Sequence, residues 1–478
     1  MTQPEAHVFD DYREEGPLVS DVAARFAKIV GDANLLVGET IPPDYGHDEA
    51  LTAVPQRPAY VARPRSAEEV AALLVCAGEH GVPVTARGSA TGLSGAARPR
   101  PGGLVISFER MNAVLEIDAD NHVAVVQPGI TLADLDERTA ATGLGYTVYP
   151  GELSATVGGN VGTNAGGMRA VKYGVTRHNV VGLQAVLPTG EIIRTGGKLA
   201  KISSGYDLTQ LIIGSEGSLA LVTEVTVKLH PRMPYGATVL APFTSVDEVL
   251  RSVVKVIGSG LTPHILEYID DRTLRAIGDQ LDLDLGIRDA VRDSAAAYLM
   301  VALESRDKDR VQADVMELGG LLLDVGAMDA YVLEGTAAAK LVEAREKSFW
   351  TAKALGVDDI IDVVVPRAAM PEFLRRTEEL VRSRDAVVAG CGHAGDGNVH
   401  LGLFCPDEEK RGRLLTEIFA LGMELGGAIS GEHGIGQTRS GYFLELEDPA
   451  KIALMRRIKA SFDPAGILNP GILPAVEV

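Results

Sequence analysis

Pro150-Gly-Glu-Leu-Ser-Ala-Thr-Val-Gly-Gly-Asn-Val-Gly-Thr-Asn-Ala-Gly-Gly167 is the stretch from which the rest of this chain is best read. Eight glycines fall between Gly143 and Gly167, among small hydroxyl and amide residues, and Glu152 is the one charge there. Glycine lets a backbone approach a bulky polar ligand closely and take positive φ without penalty. Successive free N–H groups then form concavities suited to an anion such as a pyrophosphate. A second loop of this kind, Arg87-Gly-Ser-Ala-Thr-Gly-Leu-Ser-Gly95, precedes it. Two such loops predict one domain with a long dinucleotide lying across it. They are not a Rossmann fingerprint: Gly162-Thr-Asn-Ala-Gly-Gly167 is not G-x-G-x-x-G, and no regular βαβ unit carries it. The ligand must sit in another architecture.

Upstream, Ser66-Ala-Glu-Glu69 reads as a capping box, with Val70, Leu73, Leu74 and Ala77 at helical spacing and Gly81 as the stop. Strands are expected over 82–85, 104–107, 114–117 and 123–126, then a capped helix over 131–142. Strands over 181–187 and 191–194 flank the turn Pro188-Thr-Gly190. The alternating run Glu224-Val-Thr-Val-Lys-Leu229 closes this domain, with Pro231 and Pro234 marking a linker. Beyond it, strands (237–243, 298–303, 327–332) alternate with helices (246–257, 307–318, 337–351, 371–383, 407–425), so both mix on one sheet. The tail Phe462-Asp-Pro-Ala-Gly-Ile-Leu-Asn-Pro-Gly471 is loop-like yet too apolar to dangle, and is expected to dock on the first domain. The expected organisation is a cap segment over 1–55 with a short helix at 19–31, a ligand domain over 56–235, a second domain over 236–450, and the docking segment 451–478.

At 478 residues, several domains are expected. Glycine supplies 53 residues, about one in nine against roughly 7% in ordinary domains, which again points to extended ligand loops. The net charge of −20 disfavours nucleic acid and anionic membranes as partners, so an anionic substrate needs a local cation. Cys76, Cys391 and Cys405 are too few for a disulfide framework or an iron–sulfur cluster and suit a reducing cytoplasm. The start Met1-Thr-Gln-Pro-Glu-Ala6 lacks the basic and apolar regions of a signal peptide, and no uncharged apolar run reaches 18 residues. A soluble cytoplasmic protein that does not span the membrane is expected.

The second domain carries Cys391-Gly-His-Ala-Gly-Asp-Gly-Asn-Val-His400 and, later, Gly431-Glu-His-Gly-Ile-Gly436. A straight strand would put His393 and His400 on opposite faces, but the Gly395-Asp396-Gly397 turn lets both face one point. Two histidines with the Glu432 carboxylate form a common ligand set for a divalent metal, leaving positions open for substrate. His433 then stays free as a base beside it. Cys391 and Cys405 read as packing residues, and Asp396 and Asn398 as turn-forming or supporting groups.

These motifs carry a resemblance. Arg87–Gly95, Pro150–Gly167 and Gly214-Ser-Glu-Gly-Ser-Leu219 resemble the FAD-binding domain of the vanillyl-alcohol oxidase / p-cresol methylhydroxylase type. His393–His400, Gly431–Gly436 and Asp463-Pro-Ala-Gly…Asn469-Pro-Gly471 narrow this to the FAD-linked D-2-hydroxyacid dehydrogenases: glycolate oxidase flavin subunit, D-lactate dehydrogenase and D-2-hydroxyglutarate dehydrogenase. The match spans about residues 40 to 475. It implies an α+β fold: a two-lobed FAD domain, a ferredoxin-like antiparallel-sheet substrate domain, and a tail returning to the FAD domain. It implies FAD held by Arg87, Gly88, Ser89, Ala90, Thr91, Gly92 and Leu93; by Pro150, Gly151, Thr156, Gly158, Gly159, Asn160, Thr163, Asn164, Gly166 and Gly167; and by Glu216, Gly217 and Asn469. It further implies His393, His400 and Glu432 as metal ligands, with zinc ahead of manganese or iron, His433 as base, and Arg345 as the group that takes the substrate carboxylate.

Departures from the family pattern sharpen these expectations. Arg439 stands where relatives usually have lysine and is the second candidate for substrate binding. Ala220 replaces a usual glycine in the third flavin motif. Ile360 occupies the place of a lysine that holds the distal carboxylate in hydroxyglutarate enzymes, which favours a small or apolar side chain. The Arg87–Gly95 loop has no histidine, so FAD is expected to be noncovalent. The leading expectation is oxidation of a small D-2-hydroxy acid of the D-lactate or glycolate type, with D-2-hydroxyglutarate as the alternative substrate. A non-redox transferase like alkyl-dihydroxyacetone-phosphate synthase, or a plain metallohydrolase with a nucleotide substrate, are the competing classes. Electrons would leave to a separate acceptor: an electron-transfer flavoprotein, a quinone or an iron–sulfur subunit. A homodimer is compatible with all of this.

Overall fold

The computed structural model of the protein describes residues 17–281 and 285–473; residues 1–16 of the expected cap and 474–478 of the docking segment lie outside the described residues. The first lobe is a four-stranded sheet in the order Leu35–Val37, Tyr60–Ala62, Leu104–Ser107, Val84–Arg87. Its outer pair is antiparallel and the other two pairs are parallel. Helices Pro17–Val30 and Ala67–Glu79 contribute to its core, where Phe26 meets Tyr60 edge-on at 5.3 Å. Val70, Leu73, Leu74 and Ala77, the residues at helical spacing, are all fully buried. Each such side chain contributes about 1.5–3 kcal/mol on leaving water, alanine less. The Ser66 hydroxyl accepts from Glu69 N as expected, but the Glu69 carboxylate turns one residue further back, to Arg65 N.

The second lobe is a five-stranded antiparallel sheet in the order Val114–Asp118, Val123–Val126, Leu221–Lys228, Val180–Val186, Ile192–Gly196. Burial alternates residue by residue along Leu221–Lys228, as the sequence pattern requires of a half-buried strand.

The third sheet has seven strands, all paired antiparallel: Tyr331–Leu333, Tyr235–Phe243, Ala297–Ser305, Ile265–Asp270, Val387–Gly392, Asn398–Phe404, Asp359–Val364. Helices Val246–Gly258, Lys308–Asp324, Met370–Arg382 and Glu408–Glu424 bury one face each in a single apolar cluster with it. Val311, Val315, Leu318 and Leu322 show the 4-3-4 spacing of such a face.

Some elements differ from expectation. The glycine-rich stretch read as a loop contains a helix, Val157–Thr163, because Thr156 caps it through Gly159 N. The expected helix 337–351 is two, Gly335–Glu346 and Ser348–Ala354, separated at Lys347. The strand expected over 327–332 is only Tyr331–Leu333, since Met328 N bonds Pro242 O and Asp329 pairs with Arg288 before pairing along the sheet begins. The tail docks as expected: Leu468 bridges Val84 in parallel, and Asn469 N donates to Val84 O at 2.8 Å. Lys459, buried in the preceding helix, holds it by donating to Ser218 O and Leu468 O. Among the described residues, no helix is long and apolar enough to cross a membrane.

Candidate functional site

A groove runs across the first two lobes, lined by Arg87, Gly88, Ser89, Ala90, Thr91, Gly92 and Leu93, by Pro150, Thr156, Gly158, Gly159, Asn160, Gly162 and Thr163, and by Glu216 and Gly217. Its two glycine loops differ in what their backbone offers. In the second, Val157 N, Gly158 N and Gly159 N already donate to Ile130 O, Pro128 O and the Thr156 hydroxyl. In the first, the amides of Gly88 through Leu93 donate to no acceptor among the described residues, and Ala90 sits at φ 56°. That succession of free amides is an anion cradle. At Gly162 a Cβ would meet nothing within 4 Å, so the groove is open space there. Asn160 is 3% exposed, and its side-chain Nδ2 is buried without a partner on the same wall.

Not every expected cofactor residue faces the groove. Gly151 and Gly167 line a neighbouring cavity instead. Asn164 caps a helix end and accepts from Arg177 N. A Cβ on Gly166 would come within 2.9 Å of Glu432 Oε2, so that glycine makes room for the carboxylate. Asn469 donates to Ala96 O and Glu216 O, tying two groove walls together from behind. The Arg87 guanidinium donates to His47 O. Asp48, buried and unremarked in the sequence, accepts from Ala97 N just past the first loop.

The neighbouring cavity, about 120 Å³, is lined by Arg345, His393, His400, Glu432 and His433 together with Met168, Phe349, Ile360, Ala389, Gly390 and Gly402. Leu93, Pro150, Glu432 and His433 line both spaces, so groove and cavity meet at these four residues. The glycine-flanked hairpin turn between Val387–Gly392 and Asn398–Phe404 brings the histidines together, with ring centroids 4.8 Å apart. Glu432 Oε2 lies 3.4 Å from His393 Nε2, and Glu432 Oε1 lies 3.6 Å from His400 Nε2. These three side chains form a donor triangle of metal-binding size. Both His400 ring nitrogens and Glu432 Oε2 are buried without a hydrogen-bond partner. Of these, His400 Nε2 and Glu432 Oε2 face the same small space beside His393 Nε2, which fits a cation, while His400 Nδ1 turns toward Asp362. His433 stacks on His400 at 5.0 Å, its Nε2 3.7 Å from Glu432 Oε1.

Two carboxylates not foreseen in the sequence build this cluster. Asp362 Oδ2 accepts from Ser430 Oγ and from Gly431 N, Glu432 N and His433 N at 2.7–3.0 Å, so one buried oxygen shapes the whole loop. Asp362 faces His400 directly across the sheet, with Oδ1 3.5 Å from His400 Nδ1. Asp362, His400 and His433 also form a triangle of metal-binding size, but the hydrogen bonds already on both Asp362 oxygens mark it as a support. Glu267, wholly buried, touches His393 Nδ1 at 2.7 Å and Arg345 Nη2 at 2.7 Å. Arg345 is itself buried, and its Nε has no partner among the described residues.

The electrostatics follow from burial against charge. Burial alone would depress His393, but Glu267 and Glu432 outweigh it and raise its pKa well above the usual value. Burial dominates at His400 and lowers it to about 3, despite Glu432. Burial would raise Glu432 and Asp362, yet the surrounding histidines hold both carboxylates below their ordinary range. The cluster thus holds anionic oxygens, a neutral His400 and a His393 imidazolium, whose proton a metal would have to displace on binding. Asp396 on the turn is pushed up by burial to about 6.

Arg439 is not brought to the cavity. Its guanidinium pairs with both oxygens of Asp359 and donates to Ile360 O at 2.8 Å, over the Phe419 ring. An arginine with a buried carboxylate partner at this distance is consumed structurally, which corrects the expectation that it binds substrate.

Comparison with known proteins matches residues 58–196 to the FAD binding domain and residues 232–473 to the C-terminal domain of FAD linked oxidases. The chain is 67% identical to an uncharacterized FAD-linked oxidoreductase of Mycobacterium tuberculosis, over 95% of this chain and 99% of that one. It is 39% identical to a D-lactate dehydrogenase of Archaeoglobus fulgidus, covering 91% and 96% of the two chains. It is 36% identical to the glycolate oxidase subunit GlcD of Bacillus subtilis, covering 95% and 97%. A crystal structure of p-cresol methylhydroxylase with substrate bound superposes with a TM-score of 0.79 over 95% and 96% of the chains, at 15% identity, which speaks to fold alone.

Proposed function

The chain belongs to the family of FAD-linked oxidases, as an FAD-linked oxidoreductase, and from that premise we propose that it oxidises a small D-2-hydroxy acid of the D-lactate or glycolate type to the 2-oxo acid. The observation that carries this reading is the shared mouth of groove and cavity, where unpartnered Arg345, His400 and Glu432 atoms face one small space beside His433. When bound, FAD supplies the acceptor for the Cα hydrogen with its electron pair, and a divalent metal, zinc ahead of manganese or iron, supplies a Lewis acid for the substrate oxygens.

His393, His400 and Glu432 would hold the metal. Arg345 takes the substrate carboxylate through its free Nε edge. His433 takes the hydroxyl proton at Nε2, because Asp362 lies 3.9 Å from Nδ1 and favours the proton there. The free amides of Gly88–Leu93 take the FAD pyrophosphate, noncovalently. Residues 56–235 serve as the FAD domain, 236–450 as the substrate domain, and 1–55 and 451–478 as flanking segments. Among the described residues that line the cavity, Arg345 is the one arginine or lysine, and Ile360, Phe349, Ala389 and Gly402 offer no second cation, which supports a monocarboxylic substrate over D-2-hydroxyglutarate. Electrons then pass to a separate carrier in the cytoplasm.

The test is a screen of D- and L-lactate, glycolate and D-2-hydroxyglutarate with an artificial acceptor, before and after exhaustive chelation. Turnover of a D-monocarboxylate that vanishes on chelation and returns with added zinc or manganese is expected, with the flavin spectrum unchanged throughout. Full activity in a metal-free sample would remove the metal from the reading.

A further inference from the structure

Glu267 lies in the strand Ile265–Asp270, among Ile265, Leu266, Tyr268 and Ile269, and has no exposed surface. A carboxylate placed there is costly unless both oxygens are used. One oxygen, Oε1, meets His393 Nδ1 at 2.7 Å; the other, Oε2, meets Arg345 Nη2 at 2.7 Å. Neither partner is a structural neighbour alone: both line the cavity. On the far side, His393 Nε2 faces Glu432 Oε2 at 3.4 Å, and the Arg345 Nε stays free while Nη1 donates to Ser348 Oγ at 3.2 Å.

We propose that Glu267 is a positioning residue that fixes two parts of the reaction site at once. Its Oε1 puts the His393 proton on Nδ1 and so aims the Nε2 lone pair at the metal position. Its Oε2 anchors the Arg345 guanidinium through the ion pair at Nη2, so that, with Nη1 held by Ser348, the unpartnered Nε is kept for the substrate carboxylate. Metal position and carboxylate position are thereby referred to a single rigid strand. Glu267 also offsets the arginine's charge, so Arg345 acts by direction rather than by excess charge. This inference rests on the site reading given under Proposed function.

That last point gives a test in which positioning and bulk charge predict opposite signs. Glu267→Gln keeps the shape and adds one unit of positive charge to the cavity. If charge alone governed the site, KM for D-lactate would fall. Positioning predicts that it rises roughly tenfold or more, because the buried anion that anchors the arginine is gone. Cobalt titrated into metal-free protein, followed by its visible absorption, should bind about 10–100-fold more weakly. Glu267→Asp, which keeps the charge but withdraws the carboxylate by one methylene, should fall between wild type and Glu267→Gln on both measures. Thermal melts and the flavin spectrum verify that each variant is folded. Equal cobalt affinity and equal or lower KM in a folded Glu267→Gln would overturn the proposal. So would loss of soluble protein in both variants, which would assign Glu267 to the fold. Wild-type protein that takes up no cobalt would instead defeat the site reading itself, and the inference with it.

Discussion

The groove and the cavity are built by opposite means. The groove is made of backbone: glycines keep Cβ atoms away, and the amides of Gly88–Leu93 are left without protein acceptors. The cavity is made of side chains whose orientation depends on other side chains, Glu267 behind His393 and Asp362 behind His400. A backbone site tolerates any side chain that leaves its main chain bare. A site of paired side chains has no spare part, because each removal strands a buried charge. Point changes should therefore act locally in the groove and propagate in the cavity.

The largest effect expected is at His433. His433→Asn should retain FAD and metal yet reduce the flavin at most about a hundredth as fast, since loss of a general base typically costs roughly 10²–10⁴-fold. Anaerobic stopped-flow bleaching at saturating substrate isolates that step, and a rate within a few-fold of wild type would move the proton elsewhere. Next comes Arg345→Lys. A point charge cannot offer the Nε edge, so KM should rise by roughly 10–100-fold with a smaller change in kcat. Steady-state kinetics across several 2-hydroxy acids checks this, and an unchanged KM for all of them would break the assignment.

A glycine pair tests the comparison itself. Gly159→Val lies on the groove wall and should yield protein with little flavin absorbance. Gly166→Ala, seven residues on, presses on Glu432 Oε2 and should keep FAD while weakening metal uptake. The two readouts, flavin per chain and metal per chain, should separate cleanly; loss of FAD in both would mean the two sites are not distinct. The smallest effect is at Glu216. Its carboxylate accepts from Gly436 N at 3.1 and 3.2 Å, and burial raises its pKa to about 7. A folded pKa above the unfolded value means stability is fullest below pH 4.5 and declines as pH rises toward 7. Glu216→Gln removes that decline, so its advantage in melting temperature over wild type should grow by a few degrees between pH 5 and pH 7.5. Parallel melting curves would refute it.

The groove was legible in the sequence because glycine is selected for what its own backbone does. The histidine cluster was legible for a similar reason, since a Gly-Asp-Gly turn between two histidines forces a hairpin. Asp362 and Glu267 were not legible. Each is one of two acids in an otherwise largely apolar strand, beside Asp359 and Asp270 respectively, and its role depends on sheet register: Asp362 faces His400 only because strand Asp359–Val364 pairs with strand Asn398–Phe404 in that alignment. Arg439 was misread because its nearness to the Glu-His-Gly motif in sequence says nothing of Asp359, which takes its guanidinium. The helix Val157–Thr163 was hidden by its glycines, which are poor helix formers held by one threonine cap and by Pro128 and Ile130 carbonyls.

The docked tail sets a clock on the birth of the enzyme. Thr85 and Asn469 touch across 384 residues of chain. At roughly 5–20 residues per second, a ribosome takes about 20–80 s to make that stretch. Until then the strand beside the free-amide loop lacks its last neighbour, and the two walls tied by Asn469 stand untied. Capture of FAD should therefore wait until Asn469 has been made and docked, and a chain cut short of Asn469 is expected to remain colourless.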